Sequence, residues 1–222
     1  MYTIENLKTT GKLLRSNQAA NGSNAQISIN TSEDILIKDC DFNMEGYNCI
    51  EIALKTGCMP KNITIQNCNF SANLDNNTIT IFDTAPDAVI KIKNCHFSHS
   101  SNPIRLSARS NNSCTVYIED CTCDYWETNP VYAGFILLQD YTSKEFTEEN
   151  LNKFKNINII VSNLKVPTAY PMKDADGKFA FTKLQDVCST REYESQFMYM
   201  YRDRAKPAFI EYNEEFPTLI VK

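Results

Sequence analysis

Along most of the chain aliphatic residues alternate with polar ones in short runs, the two-residue period of a strand with one face buried. The sharpest runs are one eight-residue phrase that returns: ILIKDCDF at 35–42, ITIQNCNF at 63–70, IKIKNCHF at 90–97 and VYIEDCTC at 116–123, with a looser IIVSNLKV from Ile159. Within each phrase the two aliphatics, such as Ile35 and Ile37, point to one side. The Asp or Asn that follows tolerates a left-handed backbone, which reverses the parity of the strand. Cys40 and Phe42, Cys68 and Phe70, Cys95 and Phe97, and Cys121 are therefore expected to face inward again, as a stacked core.

The polar residue at the reversal recurs at Asp39, Asn67, Asn94 and Asp120, steps of 28, 27 and 26 residues, with Asn163 in the looser copy. A near-constant step marks a solenoid. A second run lies between phrases: CIEIAL at 49–54, TITIF at 78–82, PIRLSA at 103–108 and FILLQ at 135–139. Two strands and a corner per repeat predict a coil whose equivalent residues stack at about 4.8 Å. The column Asp39, Asn67, Asn94, Asp120, Asn163 is then expected to be a hydrogen-bonded ladder at a buried corner.

The phrase aliphatic, any, aliphatic, any, Asn, Cys or polar, any, Phe resembles the parallel β-helix repeat of the pectin-lyase-like superfamily over roughly residues 25–166. The resemblance implies an all-β fold, a short, single-stranded, right-handed parallel β-helix of about five rungs. It does not choose a function, because polysaccharide lyases, hydrolases, phage tailspikes and passive virion proteins all resemble this repeat.

Outside the repeat, SKEFTEENLNKFKN offers Thr147 as a helix N-cap followed by acids, so a helical insertion is expected at about 142–156. Residues 1–24, with Leu7, Leu13 and Leu14 at near-helical spacing, are expected to cap the first rung or dock. Residues 167–222 form an aromatic-rich extension, with Asp176-Gly177 as a hairpin turn. That extension either caps the last rung or docks on a neighbour. Its aromatics Phe197, Tyr199, Tyr201, Phe209 and Tyr212 are candidate interface residues. FILLQ adds Ile136 and Leu138, taken to point outward around an inward Leu137 and so to need a cover.

Charge and chemistry narrow the function. A net charge of −5 with mixed signs leaves no basic stripe for nucleic acid. The N-terminus lacks the apolar core of a secretory signal, and no run of eighteen apolar residues suggests a membrane span. Synthesis in the host cytoplasm is expected. Nine Cys without a CxxC pair read as reduced thiols. Stacked in parallel, the Cys column cannot converge into a zinc tetrahedron, nor turn its Cβ vectors together for disulfides.

The outward columns hold no acidic cluster for calcium. Asp174-Ala175-Asp176-Gly177 opens like an EF-hand loop, but Gln185 stands where that loop needs Glu. Glu51 and Asp83 are the nearest approach to a glycosidase pair, and His96 and His99 read as surface polar residues. No catalytic residue, metal ligand or cofactor is expected. The expectation is a non-enzymatic bacteriophage virion component, a capsid decoration or fibre-type protein docking on other virion proteins or on itself through its termini. A carbohydrate-binding or adhesion module, for which Tyr117, Tyr125 and Trp126 are candidates, is the alternative.

Overall fold

A computed structural model describes residues 1–13, 25–46, 48–108, 113–126, 136–140, 156–165, 170–173, 179–182, 197–200, 207–209 and 218–221. Every regular element among them is a β-strand. One sheet stacks β1 (Tyr2–Glu5), β4 (Ile35–Lys38), β7 (Asn62–Gln66), β9 (Ala88–Lys93), β11 (Cys114–Glu119), β14 (Ile157–Ser162) and β19 (Thr218–Val221) in that order, all parallel. The second runs β2 (Lys8–Leu13), β5 (Asp41–Gly46), β8 (Asn69–Ile81), β10 (His96–Ala108), β13 (Ile136–Asp140), β17 (Phe197–Met200) and β18 (Pro207–Phe209). Within it β3 (Ala25–Ile29) pairs with β6 (Asn48–Ile52), β6 with β8, and β12 (Thr122–Trp126) with β10. β15 (Tyr170–Lys173) and β16 (Phe179–Thr182) form an antiparallel pair, while the turn expected at Asp176-Gly177 lies outside the described residues.

The chain passes through the first sheet and then the second, repeatedly, an arrangement of stacked parallel strands compatible with a β-helix or solenoid. Each pass through both sheets is one rung. Parallel strands in register put like on like: Tyr2, Ile35, Ile63, Ile90, Val116, Ile159 and Leu219 form one column. In the second sheet Ile27, Ile50, Ile79, Ile104 and Ile136 form another. Phe42, Phe70 and Phe97 stack with ring centroids 5.1 Å apart, and Cys123 follows Phe97 in register. The aliphatic columns, the Phe stack and the Cys column share one continuous core.

Three expectations change here. Residues 1–13 form strands in place of the helical turn suggested by the leucine spacing: β1 pairs with β4 and β2 with β5 as a further rung, and Leu7 packs against the core. The open edges of β4 and β5 outweigh the helical spacing of the leucines, since each parallel strand needs a partner for its backbone groups. Leu14 and residues 142–155 lie outside the described residues.

Ile136 is 3% exposed and belongs to the core instead of an interface. FILLQ is apolar at successive positions, so its pattern carries no phase, and a one-residue shift reverses every side chain. Register against Ile104 and Leu106 sets the phase, with Leu138 opposite Leu106. Phe197 and Tyr199 continue these two columns in β17. Phe209 lies in β18, antiparallel to β17, while Tyr201 and Tyr212 lie outside the described residues. The third change concerns the ladder.

Candidate functional site

Asp39, Asn67, Asn94, Asp120 and Asn163 all adopt positive φ, between 49° and 55°, and each is exposed. The corner they occupy is thus wet instead of buried. The left-handed conformation lets each backbone N–H reach the carbonyl of the following rung: Asp39 to Gln66, Asn67 to Lys93, Asn94 to Glu119 and Asp120 to Ser162.

The side chains run the opposite way. Asn94 Nδ2 donates to Asn67 Oδ1 (3.0 Å), and Asn67 Nδ2 donates to Asp39 Oδ1 (2.9 Å). Asn163 Nδ2 donates to Asp120 Oδ1 (2.9 Å). A carboxylate accepts but cannot donate, so each Asp ends a run and the ladder falls into two segments. Asn6 joins this column, with φ 56° and its N–H on Lys38 O. Its phrase, YTIENLKT, keeps Ile and Asn in place but has Tyr and Thr where others have Ile and Phe, which hid it.

A second ladder was missed. Asn48, Asn77 and Asn102 are aligned and at most 1% exposed. Asn77 N–H donates to Asn48 Oδ1 (3.0 Å), and Asn48 Nδ2 donates to Glu51 Oε1 (2.8 Å). The signal was present as Asn two residues before the first Ile of each second run, in NCI, NTI and NPI. Here the Asn48 amide satisfies a buried backbone N–H, which an apolar side chain could not.

Cys40, Cys68, Cys95 and Cys121 occupy the position after the left-handed residue, buried and unbridged. Each thiol donates to the carbonyl two residues back, at 3.1–3.3 Å, and approaches one on the preceding rung at 3.6–3.9 Å. Hydrogen bonds to the thiols of Cys121 and Cys68, then burial, push the Cys95 thiol up. Burial alone raises Cys114 to about 12, and burial first, with the neighbouring Cys68 thiol second, pushes Cys49 and Cys40 up. Hydrogen bonds with the Cys95 thiol lower Cys68 and Cys121 in turn, while thiols raised by burial, such as Cys114 and Cys49, are packing groups and not nucleophiles at neutral pH.

Two polar groupings stand on other faces. Outside the start of the second sheet, Asn69 Nδ2 donates to Asp41 Oδ1 (2.9 Å), and His96 Nδ1 meets Asn69 Oδ1 (2.8 Å). His96 Nε2 meets Asp124 Oδ2 (2.9 Å), so four side chains on successive rungs are joined. His96 is therefore a member of an organised row. Further along the strands, Glu51 and Arg105 are each 3% exposed and Thr80 0%, on the face opposite Ile50 and Ile52, with Arg105 over the Phe82 ring at 5.6 Å.

Glu51 is in register with Thr80, and Asp83 stands three residues beyond. The Cα atoms of the two acids are therefore roughly 11 Å apart at ordinary strand spacing. Both acids are buried.

Among the described residues, no three His, Cys, Asp or Glu side chains converge as a metal centre needs. On the first sheet's outward face Glu5 pairs with Lys38 (2.9 Å) and Lys93 with Glu119 (3.6 Å). Comparison with protein-family models, curated proteins and solved structures finds no match to the chain.

Proposed function

We propose that the chain is a right-handed parallel β-helix of the pectin-lyase-like kind and serves as a non-enzymatic structural component of a bacteriophage virion, a capsid decoration or fibre-type protein. One observation carries the reading: the apolar core columns and the backbone hydrogen bonds between rungs run through the stack, so load passes along it through contacts already made. Such continuity makes a stiff spacer. The segments at the two ends, 1–24 and 167–222, supply the docking surfaces to other virion proteins or to further copies.

Mass spectrometry of purified virions, beside light scattering of the isolated chain, tests the role. Stoichiometric presence in particles is the expected result, and a soluble monomer absent from them would overturn it. A chain ending at residue 166 should keep its far-ultraviolet circular dichroism per residue yet fail to join particles. Incorporation of the shortened chain at full occupancy would remove the docking role of 167–222.

The joined outward row Asp41, Asn69, His96, Asp124 favours a second reading, a carbohydrate-binding module. Short polar side chains fixed on one face suit sugar hydroxyls, which need donors and acceptors held in place. Binding to a glycan array lost on His96→Ala and Asn69→Ala would support it, and an empty array would count against it.

A further inference from the structure

The Cys column has a geometry that the packing role leaves unused. Backbone bonds tie each cysteine to the next rung: Asn69 N–H to Cys40 O (2.9 Å), His96 N–H to Cys68 O (3.0 Å) and Thr122 N–H to Cys95 O (2.9 Å). Adjacent rungs in a parallel sheet repeat at about 4.8 Å. Two residues further along the same strands, the Phe stack repeats at 5.1 Å. Each thiol makes the same bond to the carbonyl two residues back, so the four side chains take the same placement and repeat with the rungs.

Two metal–thiolate bonds of about 2.3 Å laid end to end span about 4.6 Å. An ion midway between stacked sulfurs therefore meets both in line, with each sulfur–metal bond close to perpendicular to its Cβ–Sγ bond, as divalent sulfur prefers. The same stacking that forbids a tetrahedral zinc site suits a two-coordinate ion. Soft thiolates select d10 monovalent ions of the copper(I) class, and a buried site with no oxygen or nitrogen side chain in the column excludes hard ones.

We infer that the column Cys40, Cys68, Cys95, Cys121 is a binding site for two monovalent soft cations, one in line between Cys40 and Cys68 and one between Cys95 and Cys121. Each ion displaces one proton: two thiols and M⁺ become a thiolate–metal–thiol unit and H⁺. The unit is neutral, which matters because a net charge in this core would be costly.

Silver(I) is the probe, since it binds sulfur linearly and keeps its oxidation state. The full chain carries Cys58→Ser and Cys188→Ser, which removes the partly exposed thiol and the one outside the described residues. The expected result is saturable uptake of two ions per chain, one proton released per ion, unchanged circular dichroism, and X-ray absorption reporting two sulfur neighbours in line.

Cys68→Ala with Cys121→Ala leaves Cys40 and Cys95 two rungs apart, and uptake should fall from two ions to none. Cys114→Ala should leave it at two. If the double variant does not fold, Cys40→Ala alone should lower uptake from two to one. No uptake by the folded chain, uptake only with unfolding, or uptake indifferent to the column variants would each overturn the site.

Discussion

Asn67 combines both jobs of its column: a left-handed backbone at φ 53° and a side chain that donates to Asp39 and accepts from Asn94. Alanine keeps neither, because its Cβ disfavours that conformation by about 1–2 kcal/mol and it has no amide. Asn67→Ala should therefore cost roughly 1–3 kcal/mol in urea unfolding. Asn67→Gly, which tolerates positive φ, should cost less. Equal losses in the two variants would show that the backbone conformation is not what the residue supplies. Asp at the same place would set a carboxylate against the column with nothing to donate, so the two-segment ladder also explains why Asp stands only where a run ends.

Titration gives a second test at this scale. Burial raises the Cys114 thiol from its ordinary 9.0 to about 12. Below pH 9 the thiol is protonated in both folded and unfolded chains, and stability is unaffected. Between pH 9 and about 12 the unfolded chain releases its proton while the folded one holds it, so stability falls as pH rises. Urea midpoints should decline across that window, and Cys114→Ala should flatten the part of the decline that belongs to this thiol. A midpoint independent of pH up to 11 would contradict the burial argument.

Among the elements, β13 shows how stacking settles what alternation leaves open. Because Ile136 lies against Ile104 inside the core, Ile136→Ala should destabilise by about 2–5 kcal/mol, the cost of a lost side chain and the cavity behind it. A surface interface residue would give less than about 0.5 kcal/mol, so the same urea experiment separates the two placements. Phe70 stacks between Phe42 and Phe97, touching a ring on either side. Phe70→Ala should cost about 3–5 kcal/mol for the same reason. Thermal unfolding that leaves either variant at wild-type stability would mean the columns do not share one core.

At the scale of the whole molecule, the stack begins with β1 and β2, where Tyr2 is 42% exposed while its counterpart Ile35, one rung in, is 2%. Removing residues 1–13 would bare the edges of β4 and β5 together with Ile35, Ile37 and Phe42. Unpaired parallel edges over an apolar core invite association. The shortened chain should lose stability to urea and scatter light as oligomers, and a stable monomer would show that this rung is dispensable.

The sequence by itself determined the period, the two strands per repeat, the inward aliphatic and Phe columns and five of the left-handed residues, Asp39, Asn67, Asn94, Asp120 and Asn163. Those properties follow from alternation and from the side chains that tolerate positive φ, and both are local. Tertiary structure alone decided the first rung, the phase of β13, the exposure of one amide ladder and the burial of the other. Each of these depends on which strand lies next to which, and an edge strand, an all-apolar strand or a corner asparagine carries no local mark of its neighbour.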